Sequence, residues 1–172
     1  MSNQVQPTID VHGSVHAGDD GKGTVRMESV YGTEPEDLWS ALTEPARLAR
    51  WIAEVDGDLR VGGTFSASFS SGWEGPGRVD ICEPARRLVV TLEPGTADET
   101  TIEAVLSGET SGTRLVVEER GIPLAEISAH GAGWQTHVED LGSALHGGEP
   151  ADWRTRWIEL TPAYEDLARG LG

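Results

Sequence analysis

A change of hydrophobic period close to residue 121 is the feature that most restricts how this chain can fold. Before that point, apolar and polar residues alternate in short runs, the pattern of β-strands with one buried face. Most gaps between the runs are short and rich in turn residues, which favours antiparallel strands joined by hairpins. After that point, apolar residues recur at helical spacing. The sequence therefore predicts an antiparallel sheet followed by a long helix.

The strand pattern occurs in eight runs: 8–16, 23–31, 55–61, 64–70, 76–83, 86–93, 99–107 and 113–120. The first two flank the turn sequence AGDDGK and predict an N-terminal hairpin. Two short helices are predicted before the third run, in TEPEDLWSAL and LTEPARLARW, with Thr43 as the N-cap of the second helix. Because each parallel βαβ unit needs a long crossover between its strands, six hairpin-linked strands do not fit that kind of fold.

The long helix is predicted in the segment PLAEISAHGAGWQTHVEDLGSALHG. Its apolar residues form one stripe over about 20 residues. The stripe consists of Ile127, Trp134, Val138, Leu141 and Leu145. The most economical way to bury it is to curl the sheet around the helix. We therefore predict an α+β fold in which a curved antiparallel sheet wraps around a long C-terminal helix.

The charge balance restricts the partners of the protein. Its 172 residues include 13 Lys and Arg against 29 Asp and Glu, a net charge of −16. Such a surface repels phosphate backbones and anionic lipid headgroups, so neither nucleic acid nor a membrane is expected as a partner. The N-terminal sequence MSNQVQPTID lacks the basic and apolar regions of a signal peptide, and a cytoplasmic location is expected. Cys82 is the only cysteine, so no intrachain disulfide is expected.

Several segments resemble a known superfamily in the order in which they occur. These are DLWSALTEPARLARW, LRVGGTF, GRVDICEPARRLVVTL, TRLVVEE and HGAGWQTHVEDL. They resemble the helix-grip (SRPBCC) superfamily, which includes START domains, polyketide cyclases and the birch-pollen allergen. Within it, they are similar to the bacterial proteins named after the activator of heat shock protein 90 ATPase. The resemblance covers about residues 11–147 and implies a START-like domain over 1–148, with 149–172 as a helical extension packed on it.

The same resemblance implies a cavity between the concave face of the sheet and the long helix, closed at one end by the two short helices. Trp51 would lie at that closed end. In TFSASFS, strand alternation directs the apolar side chains inward. Trp73 lies at a predicted hairpin tip, either on the rim of the pocket or in contact with a partner. The residues predicted to contact a ligand are Trp51, Phe65, Ala67, Phe69, Trp73, Glu119, Trp134, His137 and Leu141.

Glu119 shares a strand face with Leu115 and Val117. If that face is concave, the carboxyl group lies at the edge of an apolar interior, where its pKa would be raised and it could act as an acid, a base or an anchor. The alternative is a solvated charge at the strand end. His130 and His137 lie on the shoulder of the helix stripe, where outward hydrogen bonding is the simpler interpretation. Two histidines without a third ligand do not predict a zinc site, so neither metal nor cofactor is expected.

The last segment, EPADWRTRWIELTPAYEDLARGLG, extends beyond the part of the chain that carries the resemblance. Its large apolar residues form a second helical stripe, with a restart of the helix predicted at Thr161–Pro162. The stripe consists of Trp153, Trp157, Leu160, Tyr164 and Leu167. A stripe with two tryptophans is predicted to pack on its own domain, over the mouth of the pocket or across a dimer. A monomer and a homodimer both remain open.

Three functions follow from these patterns. The first is the binding of a small, largely apolar molecule in the internal cavity. The second is a cyclase- or hydrolase-type enzyme with Glu119 or His137 as its acid or base. The third is a protein-interaction module, by analogy with the chaperone activator. The common nucleotide-binding and hydrolase motifs do not occur in the sequence.

Overall fold

The computed structural model describes residues 10–171. Eight antiparallel strands form one sheet, in the spatial order β1-β2-β8-β7-β6-β5-β4-β3. They are β1 (His12–Ala17), β2 (Lys22–Tyr31), β3 (Ala53–Gly57), β4 (Thr64–Phe69), β5 (Glu74–Glu83), β6 (Arg87–Leu92), β7 (Thr100–Glu109) and β8 (Gly112–Pro123). Only the pairing of β2 with β8 joins strands that are distant along this part of the chain. The predicted hairpin-linked sheet is confirmed over these residues; residues 8 and 9 of the first predicted strand lie outside them.

Four helices accompany the sheet in the described residues: α1 (Pro35–Thr43), α2 (Pro45–Leu48), α3 (Ile127–Leu145) and α4 (Trp153–Arg169). Both short helices begin with proline, whose missing N–H does no harm at a first helical position. The prediction that Thr43 caps α2 is wrong. Thr43 is the last residue of α1, and its hydroxyl donates to the carbonyl oxygen of Trp39 at 2.8 Å, so Glu44 takes the capping position.

The predicted strand at 55–61 is displaced, since β3 ends at Gly57. The carboxylate of Asp58 accepts the backbone N–H of Arg60 at 3.0 Å, which turns the chain where the strand was expected to continue. Gly62 then has a φ of 82°, a left-handed conformation that glycine adopts without strain.

The core lies between the concave face of the sheet and α3. Ile127, Val138 and Leu141 are at most 1% exposed, as the predicted stripe requires. On the sheet side, Leu115 and Met27 are equally buried. This arrangement confirms the predicted α+β helix-grip fold, with the curved sheet around the long helix.

α4 is one continuous helix, so the predicted restart at Thr161–Pro162 is wrong. Asp152 caps the helix, its carboxylate accepting the N–H of Thr155 at 3.2 Å. Pro162 removes the hydrogen bond that would reach the carbonyl of Ile158. Because Ile158 is 52% exposed, this turn of the helix lies against solvent and tolerates the loss.

α4 packs along α3 through contacts that require a small residue on α3. A side chain at Gly131 would overlap the ring of Tyr164, whereas a Cβ at Gly133 would make only ordinary contact with Trp153. The guanidinium of Arg156 donates two hydrogen bonds to the carboxylate of Glu139, at 2.7 and 2.9 Å. The division of the chain at residue 148 stays a prediction, and residues 1–9 and 172 lie outside the described part.

Candidate ligand cavity

A cleft of about 980 Å³ lies between the sheet, α3 and the first turns of α4. This volume is at the upper end of the range found for small-molecule sites. The sheet side contributes Phe69 and Trp73, and α4 contributes Trp153 and Trp157. The part of α3 that faces the cleft provides His130, Gly133, Trp134 and His137. Three separate parts of the chain therefore meet around one space.

Aromatic rings dominate the wall of the cleft, with His137 at their centre. The centroid of its ring lies 5.9 Å from that of Phe69, 5.8 Å from Trp134 and 5.7 Å from Trp153. Trp73 meets Phe69 edge to face at 5.1 Å. Such contacts stabilise the arrangement of the rings and line the cleft with aromatic faces and edges.

Trp153 and Trp157 form the part of the wall that α4 contributes. Their rings are stacked, with centroids 6.0 Å apart and an interplanar angle of 16°. The indole N–H of Trp157 donates to the carbonyl oxygen of Ala129 on α3 at 3.0 Å, which fixes the ring beside the cleft. The indole Nε1 of Trp153 is buried and has no hydrogen-bond partner among residues 10–171.

His137 is neutral at physiological pH. Burial lowers its pKa to about 4, against smaller raising effects of the Trp51 backbone and the charge of Glu119. The side chain is 3% exposed, and within the described chain its Nδ1 finds no hydrogen-bond partner. Histidine at this position therefore serves as an aromatic group with unused hydrogen-bonding capacity.

Glu119 lies on the concave face with Leu115 and Val117, so the interpretation as a solvated charge is wrong. Its carboxylate accepts hydrogen bonds from the Thr100 hydroxyl at 2.8 Å, the Trp134 indole at 2.9 Å and Nδ1 of His130 at 2.9 Å. Burial raises the pKa of this carboxyl group. The hydrogen bond from His130, the charge of His130 and the other two donors lower it by more, so the pKa lies below its ordinary value. The expected raised pKa is therefore wrong, and Glu119 is charged.

His130 points to Glu119 and lines the cleft, so the predicted outward orientation is wrong for this residue, as it is for the buried His137. Burial lowers its pKa, but the hydrogen bond to Glu119 and that group's charge raise it above the ordinary value. The sequence contained a signal for this pair. His130 precedes Trp134 by one helical turn, and a concave Glu119 would lie opposite the same face.

The structure brings together five of the nine residues predicted to contact a ligand, and their role in binding stays a prediction. Those lining the cleft are Phe69, Trp73, Glu119, Trp134 and His137. Those that do not line it are Trp51, Phe65, Ala67 and Leu141. The cleft also has lining residues that were not among the nine: His130, Trp153 and Trp157.

The four residues outside the cleft have structural surroundings that explain their position. Leu141 is fully buried on the core side of α3, and Ala67 lies inside the core. The ring of Phe65 covers Gly77 on the neighbouring strand. Trp51 donates its indole N–H to the carbonyl of Ala41 at 2.9 Å and lines a smaller adjoining hollow of about 280 Å³.

The rim of the cleft is acidic. It has five carboxylates and one guanidinium, from Glu74, Glu93, Asp98, Glu126, Asp152 and Arg154. No three His, Cys, Asp or Glu side chains of residues 10–171 approach closely enough to hold a metal ion. Over the same residues, no helix combines the length and the apolar character needed to cross a bilayer.

A curved antiparallel sheet that grips a long helix and leaves a cleft between them defines a helix-grip protein. The chain belongs to the activator of Hsp90 ATPase homolog 1-like family of the SRPBCC superfamily. The sequence profile of this family matches residues 32–146, more than half of the chain.

Solved structures of similar proteins have the same fold. CalU16 from Micromonospora echinospora is 24% identical with a TM-score of 0.76, and the match covers 93% of this chain and 99% of that protein. MLL2253 from Mesorhizobium loti is 28% identical with a TM-score of 0.64, over 72% of this chain and 97% of its own. DynU16, a protein of the dynemicin biosynthetic locus, is 27% identical with a TM-score of 0.68, and the match covers 75% of this chain and 50% of that protein. No match is found among the curated proteins.

Proposed function

We propose that this protein binds a small, largely apolar, aromatic molecule in the cleft between sheet, α3 and α4. The observation that carries the proposal is the set of rings around His137, which lines a space of about 980 Å³. Flat ligands bind to such walls through ring stacking and edge contacts, because these add to the gain from burying apolar area. The family and the fold fit either ligand binding or a cyclase role.

The charges around the cleft narrow the ligand class. The five carboxylates of the rim, against one guanidinium, repel an anionic molecule, so the preferred ligand is neutral or cationic. DynU16, which is described as a protein of the dynemicin biosynthetic locus, supports a ligand of biosynthetic origin. The protein-interaction alternative, the cytoplasmic location and the state of assembly stay predictions.

Filling the cleft tests the proposal. Ala129 is an exposed residue of α3 that lines the cleft, so Ala129→Trp places an indole in the ligand space without disturbing the core. We expect the neutral dye Nile red to bind the natural protein, and the variant to bind it at least about tenfold more weakly, a change of about 1.4 kcal/mol. Fluorescence titration measures both affinities.

Val61→Trp is the matched control, because Val61 is 60% exposed and does not line the cleft. Its dye affinity should equal that of the natural protein, and thermal unfolding should show that both variants are folded. Absence of dye binding by the natural protein, or equal affinity in Ala129→Trp, would contradict binding in this cleft.

A further inference from the structure

The pair Glu119 and His130 presents one unused nitrogen at the cleft. A charged carboxylate can only accept hydrogen bonds, so the Nδ1 atom that lies 2.9 Å from Glu119 carries a proton. Nε2 is not buried and makes no hydrogen bond with residues 10–171, while the imidazole ring lines the cleft. Nε2 is therefore the atom of this ring that a bound molecule can reach.

The orientation of the His130 imidazole is fixed by the carboxylate of Glu119. Oε1 of Glu119 accepts from both Trp134 and His130, and Oε2 accepts from Thr100. The carboxylate is 5% exposed and cannot turn without losing these bonds. A buried carboxylate that holds an imidazole in one tautomer is the arrangement by which proteins position a base.

We propose that His130 is a general acid–base group for the molecule held in the cleft, with Glu119 as its positioning residue. The substrate class is a neutral aromatic molecule that has an acidic C–H next to a carbonyl group. The inference rests on the proposed binding of such molecules in the cleft, and it assigns them a reaction.

The reaction is a tautomerisation that needs no second reactant. The lone pair of Nε2 takes the proton from the carbon next to the carbonyl. The electron pair of the broken C–H bond forms the new C=C bond, and the carbonyl π pair moves to the oxygen. The imidazolium then returns the proton to that oxygen, which gives the enol and restores neutral His130.

The charged groups around His130 favour the first half of this cycle, the removal of the carbon-bound proton. Glu119 on β8 and Glu126 in the short 3-10 turn Leu124–Glu126 before α3 both raise the pKa of its imidazole. The other charged residues around the cleft are Glu74, Glu93, Asp98, Asp152 and Arg154. This acidic surrounding stabilises the imidazolium that forms when Nε2 takes a proton.

The base-promoted ring opening of 5-nitrobenzisoxazole tests the inference with the full chain. In this reaction the base takes a carbon-bound proton, the N–O bond breaks, and a nitrile and a coloured phenolate form. We expect the protein to accelerate it by about 10²-fold over the same concentration of free imidazole. His130→Gln should abolish this acceleration. His146→Gln is the matched control and should retain it, because His146 is exposed and lies outside the cleft.

The pH profile tests the positioning role of Glu119. The rate should rise with pH as His130 loses its proton, with a midpoint above the ordinary histidine value. Glu119→Gln removes the charge that raises the pKa of His130, so the midpoint should move to lower pH. A purely structural role of Glu119 would lower the rate at all pH values and leave the midpoint in place, which would overturn the assignment.

Displacement of Nile red by the same probe separates this inference from the proposed function. If the probe displaces the dye but reacts no faster than with imidazole, or equally fast with His130→Gln, the inference is overturned while binding stands. If neither dye nor probe binds and no acceleration is observed, both the proposed binding function and the inference about His130 are wrong.

Discussion

Replacement of Tyr164 by alanine will lower the free energy of unfolding by about 3–5 kcal/mol, the range for removing a buried aromatic ring. Tyr164 is 3% exposed, and its ring lies so close to Gly131 that a Cβ at that position would overlap it. Its hydroxyl donates to Oε1 of Gln135 at 2.7 Å. The variant therefore leaves a cavity between α3 and α4 that neither helix can close alone. Urea denaturation measures the change.

Two variants of the same helix act as controls. Tyr164→Phe retains the ring and loses only the hydrogen bond, so about 1 kcal/mol is expected. Leu167→Ala removes a side chain that is 43% exposed, and a change within about 0.5 kcal/mol is expected. If Tyr164→Ala were no more destabilising than Leu167→Ala, α4 would not be a packed part of the structure.

Acidification will remove about 3 kcal/mol of stability through His137. The imidazole is protonated near pH 6.5 when unfolded and only near pH 4 when folded, so the unfolded state binds more protons between these values. The stability from the neutral ring is complete above pH 6.5 and is lost as pH falls to about 4. Each pKa unit corresponds to about 1.4 kcal/mol, which gives the expected loss.

His137→Phe isolates this contribution, because the variant keeps a ring and cannot be protonated. Unfolding free energies of both proteins are measured by urea denaturation at pH 7 and pH 4, and their difference should change by about 3 kcal/mol. Asp140, whose pKa burial raises to about 6, acts in the opposite direction but is present in both proteins. Parallel pH curves for the two proteins would show that His137 is protonated freely in the folded state.

The fold could be predicted from the sequence because the features that determine it are local. Alternation along β8 places Leu115, Val117 and Glu119 on one face, and the structure buries all three. The helical stripe on α3 is equally local, since it depends only on residues three and four apart. These patterns determine which faces are buried and therefore how the sheet and the helix pack.

The site could be predicted only in part because its chemistry depends on contacts between distant segments. The pKa of Glu119 has the opposite direction from the expected one, since three donors from β7 and α3 outweigh burial. Trp51 has the expected burial, but its indole bonds to α1 rather than facing the cleft. Nor does the periodicity of α4 indicate that Trp153 would meet His137. Alternation and spacing define faces but not the partners across them.

The wall of the cleft has a spectroscopic consequence. Four of the six tryptophans of the chain line it: Trp73, Trp134, Trp153 and Trp157. Most of the indole groups of the protein therefore lie beside one space. A molecule that enters this space and absorbs where indole emits will quench that emission by energy transfer, so the protein reports its own occupancy without any added label.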